Sequence, residues 1–525
     1  MIVFLKKYSS IYISLIMLGY YIFLSWLLHR TGYEHSEAMF ISEKVKLFFE
    51  AHDNTLLTIG TTFPTTIFLS SVIFVPFGYP FAPILSSITF TTLLLFLLLK
   101  DFEKSGSLPH RVFIPMLLIL FLFHPGLIYA AISGRGVAAV IFFSYMVFRS
   151  IFKFYAHNTT YYLSVTSIFL SVLIFCDYTF VWMLLAFFPF IFLVALDGLK
   201  HLKEHPVVIQ YFEVLNFRSL RRKLVDRTIA IYLMIFLLPV TVLFVYKLLN
   251  YIHAGNQSYF LTSQYANWHV VGKEFIGDVF KKGAADSVNF QSQVVFHFYV
   301  LALTPMLILV FFIFKGKMYE LFTLFVPFIL LSVLLLDNQS FITIEYYLIF
   351  LVVALIGVYY YAGKRFKTKF LYPVLIIVAV LNVFAGIYYF KHTGDREEKA
   401  FYEAFRAMKN IDEPRKTSEE YQLAAYISNI VDNTHKILMD DAAAFRIMAH
   451  LRSLKPVVMP VDNNYITIAE NPKLGVKYIF IAKASNPLRN FTVWNDYDFK
   501  QMQLRQKFQS VIMYETQNWA IYKVL

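Results

Sequence analysis

Long apolar runs separated by short polar segments make up most of this 525-residue chain. Runs of about 18 or more apolar residues are long enough for a helix to cross the hydrocarbon core of a bilayer. A further apolar stretch at 64–81 is interrupted by prolines and a glycine, which favours an interfacial or re-entrant segment. The pattern therefore predicts about eleven crossings, at 11–28, 82–99, 112–132, 137–152, 162–176, 178–196, 228–250, 296–314, 319–336, 343–361 and 370–390.

The composition agrees with a membrane protein. Hydrophobic residues make up 58% of the chain and charged residues 15%, whereas soluble domains average about 45–50% apolar and about 25% charged residues. The net charge is +13, but the Lys and Arg residues lie mostly in short segments between apolar runs, which is typical of membrane topology. We therefore predict a polytopic α-helical membrane protein that binds no nucleic acid.

The distribution of basic residues predicts which side of the membrane each segment faces. Cytoplasmic loops carry an excess of Lys and Arg. If 64–81 does not cross, the basic segments all lie on the cytoplasmic side together with the N-terminus. The first apolar run follows Lys6-Lys7 without a small-residue cleavage site and is predicted to be a retained signal anchor. The basic segments are 100–111, 198–227, 315–318 and 362–369.

Three longer segments are then predicted on the outer face: the first loop (29–81), the loop 251–295 and the tail 391–525. The tail is predicted to form a small soluble α/β domain attached to a membrane domain of residues 1–390, because a segment of this length can bury its own core. Helices are predicted at 398–410 and 418–431, strands at 437–439, 457–459 and 476–481, and a hairpin at 510–525.

The first outer loop opens with two acidic residues, Glu34 and Glu37. Ionisable residues at a membrane edge are costly to place and are candidates for function. Three residues apart, the two side chains would share a face of a helix. A partly desolvated carboxylate has a raised pKa and can act as a base toward a hydroxyl group. The alternative is that both are solvated residues at a helix end.

Two further outer-face residues are candidates. Arg135 lies between Gly134 and Gly136 in a turn that joins two apolar runs. A guanidinium group can hold a phosphate through two hydrogen bonds, although an interfacial arginine that extends toward water explains the residue equally well. Asp177 precedes the run at 178–196, where it is either a carboxylate for substrate or metal or the N-cap of a helix.

The outer loop 251–295 contains Trp268, His269 and Lys273. The Trp–His pair is compatible with stacking on a sugar ring, but aromatic residues are also expected at a membrane interface. The chain has 36 Tyr and 57 Phe, so no single aromatic residue identifies a site. Metalloprotease, P-loop, serine-hydrolase and dinucleotide motifs do not occur in a supporting context.

These residues occur in an order that resembles the GT-C class of membrane glycosyltransferases, in particular the bacterial branch related to protein O-mannosyltransferases and aminoarabinose transferases. In that class an acidic motif, commonly Asp-Glu-Ala, follows the first span. The corresponding segments here are Ser36-Glu37-Ala38, Pro64 through Gly78, Ala82–Leu99, Pro125 through Gly136, Asp177-Tyr178, Glu345-Tyr346 and the final Trp519-Ala520-Ile521-Tyr522-Lys523. Two departures stand out: Ser36 replaces the leading Asp, and Arg135 replaces the carboxylate of the second outer turn.

The resemblance implies transfer of a sugar from a polyprenyl-phosphate donor to a glycan, lipid or protein acceptor on the outer face of a bacterial inner membrane. It implies Glu37 or Glu34 as the base, and Arg135 with Lys273 as the groups that stabilise the leaving phosphate. In-line attack at the anomeric carbon would make the reaction inverting, and a monophosphate leaving group needs no obligatory metal or other cofactor. The implied substrate-binding residues are His35, Asp177, Tyr178, Trp268, His269 and Tyr346.

Two other functions remain open on the sequence alone. A transporter would place ionisable residues and broken helices near the bilayer midplane, whereas the charges here cluster at the ends of apolar runs. A non-catalytic accessory or scaffold relative in envelope polysaccharide assembly would share the fold without the catalytic carboxylate, and Ser36 is compatible with that function.

Overall fold

The described residues between 9 and 392 form mostly apolar helices. The computed structural model describes residues 9–50, 60–105, 108–197, 199, 207–273, 290–314, 318–336, 343–365, 368–408, 418–506 and 508–525. The helices of the membrane part are α1 (Ser9–Arg30), α2 (Ser36–Glu50), α3 (Thr65–Val72), α4 (Ala82–Ser105), α5 (His110–Phe123), α6 (Pro125–Ile132), α7 (Val137–His157), α8 (Thr160–Cys176), α9 (Met183–Ala186), α10 (Phe188–Asp197), α11 (Val207–Asn216), α12 (Arg218–Ala254), α13 (Tyr259–Thr262), α14 (Trp268–Gly272), α15 (Phe290–Leu303), α16 (Pro305–Ile313), α17 (Met318–Leu336), α18 (Ile344–Arg365) and α19 (Thr368–His392).

The chain has the helices of an integral membrane protein. Among the described residues, six helices are long and apolar enough to cross a membrane, or up to eight if each of two bent pairs forms one span. The pairs are α5 with α6, bent by 63°, and α15 with α16, bent by 91°. Pro125 and Pro305 open the second helix of each pair, and proline interrupts a helix because it lacks the backbone N–H. The eleven crossings stay a prediction.

Three segments show how local residues set the helix bounds. The stretch 64–81 contains the short helix α3 and two three-residue 3-10 turns, as its prolines predict. The run 178–196 is divided into a 3-10 turn, α9 and α10. The segment 198–227 was expected to be a loop, but α12 already begins at Arg218. That expectation is wrong because Arg, Lys and Leu in 218–227 are strong helix formers.

The C-terminal region (391–525) combines helices with one sheet. Strands β2 (Val457–Val458), β1 (Ile437–Leu438) and β3 (Tyr478–Ala482) are parallel neighbours. Strand β5 (Trp519–Val524) is antiparallel to both β3 and β4 (Ser510–Glu515), which gives the sheet order β2-β1-β3-β5-β4. The predicted helices, strands and hairpin are confirmed, while the status of the region as a separate domain stays a prediction. Its elements are α20 (Arg396–Ala407), α21 (Glu419–Ile430), β1 (Ile437–Leu438), α22 (Asp441–His450), β2 (Val457–Val458), α23 (Tyr465–Glu470), β3 (Tyr478–Ala482), α24 (Asp496–Gln506), β4 (Ser510–Glu515) and β5 (Trp519–Val524).

Helix α2, from the first outer loop, is buried against the C-terminal region. Nζ of Lys44 lies 2.7 Å from Oδ2 of Asp441 at the start of α22, and both residues are almost fully buried. The rings of Phe40 and Phe445 pack with their centroids 5.8 Å apart. Nζ of Lys46 donates to a backbone carbonyl just after α22. These contacts fix α2 between the membrane helices and the C-terminal region.

Lys44→Met tests the contact between α2 and the C-terminal region. The variant keeps the apolar stem but leaves Asp441 buried without its cation, and breaking a buried pair by removing one partner costs about 3–5 kcal/mol. We expect the free energy of unfolding in detergent micelles to fall by that order. The control is Arg222→Met, because Arg222 and Asp226 form an exposed pair with side chains 86% and 70% exposed. Equal free energies of unfolding for the two variants would show that the buried pair of Lys44 and Asp441 does not stabilise the fold.

Candidate active site

A cavity of about 440 Å³ lies where the first outer loop, the turn at 133–136, the loop after α12 and the start of α20 meet. This volume is in the range of small-molecule sites, about 300–1,000 Å³. The cavity collects residues that lie far apart in sequence. Eight of the ten site residues predicted from the sequence line it, namely His35, Arg135, Asp177, Tyr178, Trp268, His269, Lys273 and Tyr346.

Two glycines shape the turn that presents Arg135. Gly134 has a φ of +74°, a conformation that residues with a side chain rarely adopt. A Cβ atom on Gly136 would collide with Cδ1 of Ile67 and lie 3.1 Å from Oε1 of Glu37, so a larger residue at this position would force the Ile67 side chain to move. The N–H of Gly136 donates to Oε1 of Glu37 at 3.1 Å. The turn therefore packs closely against the start of α2 and leaves the Arg135 side chain only 10% exposed in the cavity wall.

Four carboxylates surround the guanidinium group of Arg135. Oε2 of Glu37 lies 3.2 Å from Nε, and Oε2 of Glu345 lies 3.1 Å from Nη2. Oε1 of Glu398 and Oδ2 of Asp395 lie 3.8 and 4.0 Å from Nη1. One cation thus faces four acidic groups, so this part of the wall has a surplus of negative charge unless some of the carboxylates bind protons.

Burial raises the pKa of two of these carboxyl groups. Loss of solvation raises the pKa of Glu37 to about 7, against the attraction of Arg135. Loss of solvation and repulsion by Asp395 raise the pKa of Glu398 to about 8. Glu398 has no exposed surface and accepts hydrogen bonds at 2.7–2.8 Å from one backbone N–H and two hydroxyl groups. The cluster therefore holds protons near neutral pH, which reduces its negative charge.

His35 is held as a neutral imidazole beside the same cluster. The N–H of Glu37 donates to Nδ1 of His35 at 3.1 Å, so Nδ1 carries no proton. Nε2 then carries the proton and donates to the hydroxyl of Tyr129 at 3.0 Å. Burial and the nearby charge of Arg135 lower the pKa of His35 well below its ordinary value. His35 therefore offers the cavity a neutral polar group and not a cation.

Asp177 is an N-cap, as one of its two interpretations predicted. Its Oδ1 accepts the N–H of Thr179 at 2.9 Å at the start of a 3-10 turn. Its Oδ2 accepts the hydroxyl of Tyr346 at 2.9 Å. Both carboxylate oxygens are engaged, and the second bond orients the ring of Tyr346 in the cavity wall.

Helix α14 and the residue after it supply a different kind of wall. Oδ1 of Asn267 accepts the N–H of His269 at 2.8 Å and caps the helix. Nε2 of His269 is buried and has no hydrogen-bond partner among the described residues. Lys273 is exposed at the cavity, and the described part of the chain provides no ion pair for it. This wall therefore combines an exposed ammonium group with a buried imidazole nitrogen that has no hydrogen-bond partner among the described residues, next to the indole of Trp268.

The two predicted bases do not line the cavity. Helix α2 begins at Ser36, so Glu34 precedes it, and the expected shared helix face of Glu34 and Glu37 is wrong. Oε2 of Glu34 instead lies 2.8 Å from Nε2 of His450. Glu37 is 3% exposed, and its two oxygens face Arg135 and the N–H of Gly136. Their role as bases stays a prediction, but each carboxylate has a structural partner.

Sequence reasoning did not single out Asp395, Glu397 and Glu398. They form an acidic cluster just after the last apolar run, which is the same signal that identified Glu34 and Glu37. The signal is easily discounted because acidic residues also stabilise the N-terminus of a helix, and α20 begins at Arg396. Glu345 lies in an equivalent place at the start of α18 and was noted only as the neighbour of Tyr346.

The fold is similar to the crystal structure of ArnT from Cupriavidus metallidurans bound to undecaprenyl phosphate. The TM-score is 0.50 with 11% sequence identity, and the match covers 97% of each chain. The sequence matches no protein-family description and no curated protein. At 11% identity the likeness concerns the fold, and it supports the predicted GT-C-like architecture along nearly the whole chain. The narrower branch suggested by the sequence stays a prediction.

The raised pKa of Glu398 predicts how stability depends on pH. In the folded protein this group keeps a proton up to a pKa of about 8, whereas the ordinary value is 4.5. Its contribution to stability is therefore fully present below the ordinary pKa and is lost as pH rises through about 8. Glu398→Gln has no proton to lose, so its melting temperature should fall less than that of the wild type between about pH 5 and about pH 8.

The control for this measurement is Glu470→Gln, because Glu470 is exposed at the end of α23. This variant should keep the pH profile of the wild type. Melting curves in detergent with the same pH dependence for Glu398→Gln and the wild type would contradict the assignment of this proton to Glu398.

Proposed function

We propose that the protein transfers a sugar from a polyprenyl-phosphate donor to a hydroxyl acceptor at the outer face of the membrane. The observation that supports this function best is the cavity, which combines an acidic wall with the uncommitted polar groups of His269 and Lys273. The fold adds support, since the similar ArnT structure is one bound to undecaprenyl phosphate. Such a transfer needs a base that takes the proton of the acceptor hydroxyl and groups that stabilise the negative charge of the leaving phosphate.

His269 and Lys273 are the proposed contacts of the donor phosphate. A phosphate oxygen would accept a hydrogen bond from the unpartnered Nε2 of His269 and pair with the ammonium group of Lys273. Arg135 was expected to bind this phosphate too, but its guanidinium group already faces Glu37 and Glu345. We therefore propose that Arg135 organises the acidic wall and does not bind the phosphate.

The proposed reaction is a single displacement at the anomeric carbon, which inverts its configuration. A cavity carboxylate takes the proton of the acceptor hydroxyl, the acceptor oxygen bonds to the anomeric carbon, and the polyprenyl phosphate leaves with the electron pair of the broken bond. The rings of Trp268 and Tyr178 in the cavity wall offer apolar faces to the sugar. We propose no obligatory metal, because the leaving group is a monophosphate that Lys273 can stabilise.

The proposed location of the reaction follows from the segments that form the cavity. The first outer loop, the loop that follows α12 and the C-terminal region all contribute to its wall, and the charge pattern predicts that all three face outward. We propose a bacterial inner membrane with the cavity on the outer side. A glycan, a lipid or a protein with a free hydroxyl group is the proposed acceptor.

Lys273→Ala tests the donor site. The affinity is measured by titrating purified protein in nanodiscs with undecaprenyl phosphate. Turnover is measured with polyprenyl-phosphate donors that carry a radiolabelled sugar, by following the loss of the label from the donor. A hydrogen bond to a charged group contributes about 1.5–3 kcal/mol, so the variant should bind undecaprenyl phosphate at least about 10-fold more weakly. The control is Lys473→Ala, because Lys473 is exposed in the C-terminal region and does not line the cavity.

The outcomes separate the functional alternatives. Binding and turnover by the wild type support the enzyme, whereas binding without turnover of any donor in the presence of outer-membrane and envelope acceptors favours the non-catalytic relative. A wild type that neither binds undecaprenyl phosphate nor consumes a donor contradicts the proposal. Equal affinity of Lys273→Ala and Lys473→Ala for undecaprenyl phosphate contradicts the assignment of the phosphate site alone.

A further inference from the structure

One of the carboxylates in the cavity wall is reachable from the cavity. Among the described residues that line it, four are acidic, and three of these are buried: Asp177, Glu345 and Asp395 are 4%, 6% and 8% exposed. The fourth, Glu397, is partly exposed. It lies in the first turn of α20, so it belongs to the C-terminal region and not to the membrane helices.

The three buried carboxylates are committed to structural contacts. Both oxygens of Asp177 accept hydrogen bonds at 2.9 Å, and the two oxygens of Glu345 lie 3.2 and 3.1 Å from Nη2 of Arg135. Oδ1 of Asp395 accepts two backbone N–H groups at the start of α20, and its Oδ2 lies 4.0 Å from Nη1 of Arg135. A proton placed on any of them would weaken contacts that hold the wall together.

Glu397 is held in a way that leaves it accessible. Its Oε1 accepts the hydroxyl of Ser36, the first residue of α2. Arg446 lies beside this contact, with Nη1 3.5 Å from Oγ of Ser36. Burial raises the pKa of Glu397, against the attraction of Arg446, and a raised carboxyl pKa suits a base that works near neutral pH. One oxygen is thus positioned by Ser36 while the side chain still borders the cavity.

We infer that Glu397 is the general base of the transfer and that Ser36 is its positioning residue; this inference rests on the proposed function. The O–H bond of the acceptor breaks and its proton goes to the carboxylate of Glu397. The acceptor oxygen forms the bond to the anomeric carbon as the bond from that carbon to the phosphate oxygen breaks, and the electron pair leaves with the polyprenyl phosphate.

Glu397→Gln tests the base in the nanodisc assay. General bases contribute about 10²–10⁴-fold to the rate, so kcat should fall by that order while the affinity for undecaprenyl phosphate stays at the wild-type value. The matched control is Glu403→Gln on the same helix, because Glu403 is exposed and lies outside the cavity wall. This control should keep the wild-type kcat and affinity.

A relocation of the carboxylate separates proton transfer from structural support. Glu397→Ser removes the base. The double variant Glu397→Ser/Ser36→Asp places a carboxylate at position 36, which is the partner of position 397 in the wild-type hydrogen bond. An acidic residue in the first turn of α2 is compatible with that helix, since negative charge stabilises a helix N-terminus. We expect the double variant to regain part of the kcat that Glu397→Ser loses, with the pH profile shifted to that of the new carboxyl group.

Three results would overturn the inference. The first is a wild-type kcat in Glu397→Gln, and the second is a loss of undecaprenyl phosphate binding together with kcat, which indicates a structural role. The third is a double variant that binds undecaprenyl phosphate normally but regains no turnover. A wild type that binds and consumes no polyprenyl-linked sugar overturns the proposed function as well, and this result is visible before any variant is compared.

Discussion

The structure depends on the buried guanidinium group of Arg135, which joins segments that lie far apart in the sequence. Its acidic partners come from the first outer loop (Glu37), the start of α18 (Glu345) and the start of α20 (the N-cap Asp395 and Glu398). A buried charge costs several kcal/mol unless it is paired, so loss of Arg135 or of its acidic partners would leave an uncompensated charge at the place where these segments meet. Because the cluster forms part of the cavity wall, the interaction that joins the segments also shapes the site.

The charge balance of this cluster bears on where a phosphate can bind. One guanidinium group cannot neutralise four carboxylates, and burial keeps the pKa values of Glu37 and Glu398 near 7 and 8. A phosphate placed against Arg135 would add negative charge beside these groups and raise their pKa values further. Among the described residues, no group of four carboxylates surrounds His269 and Lys273 as one surrounds Arg135, so their wall is the more favourable place for an anion.

Local patterns were sufficient to predict the strands, the hairpin and the helix that Ser418 caps. They also identified eight of the residues that line the cavity, because the charge pattern assigns their loops to one face. They could not show that Arg135 pairs with Asp395, since one sequence contains no information about which distant charges meet. The shared face of Glu34 and Glu37 failed for a local reason: α2 begins at Ser36, after Glu34. Apolar periodicity likewise does not reveal where a span bends.

The contact between Ser36 and Glu397 explains how the C-terminal region takes part in the site. The enzymes that the sequence resembles carry an aspartate where this chain has Ser36, and here a carboxylate from α20 reaches the same place. The ion pair between Lys44 and Asp441 holds the middle of α2 against the C-terminal region, and Oε2 of Glu50 at the end of α2 accepts the N–H of Leu454 at 2.7 Å. Both ends of α2 therefore contact residues that follow the last membrane helix, and the same region supplies Asp395 and Glu397 to the cavity wall.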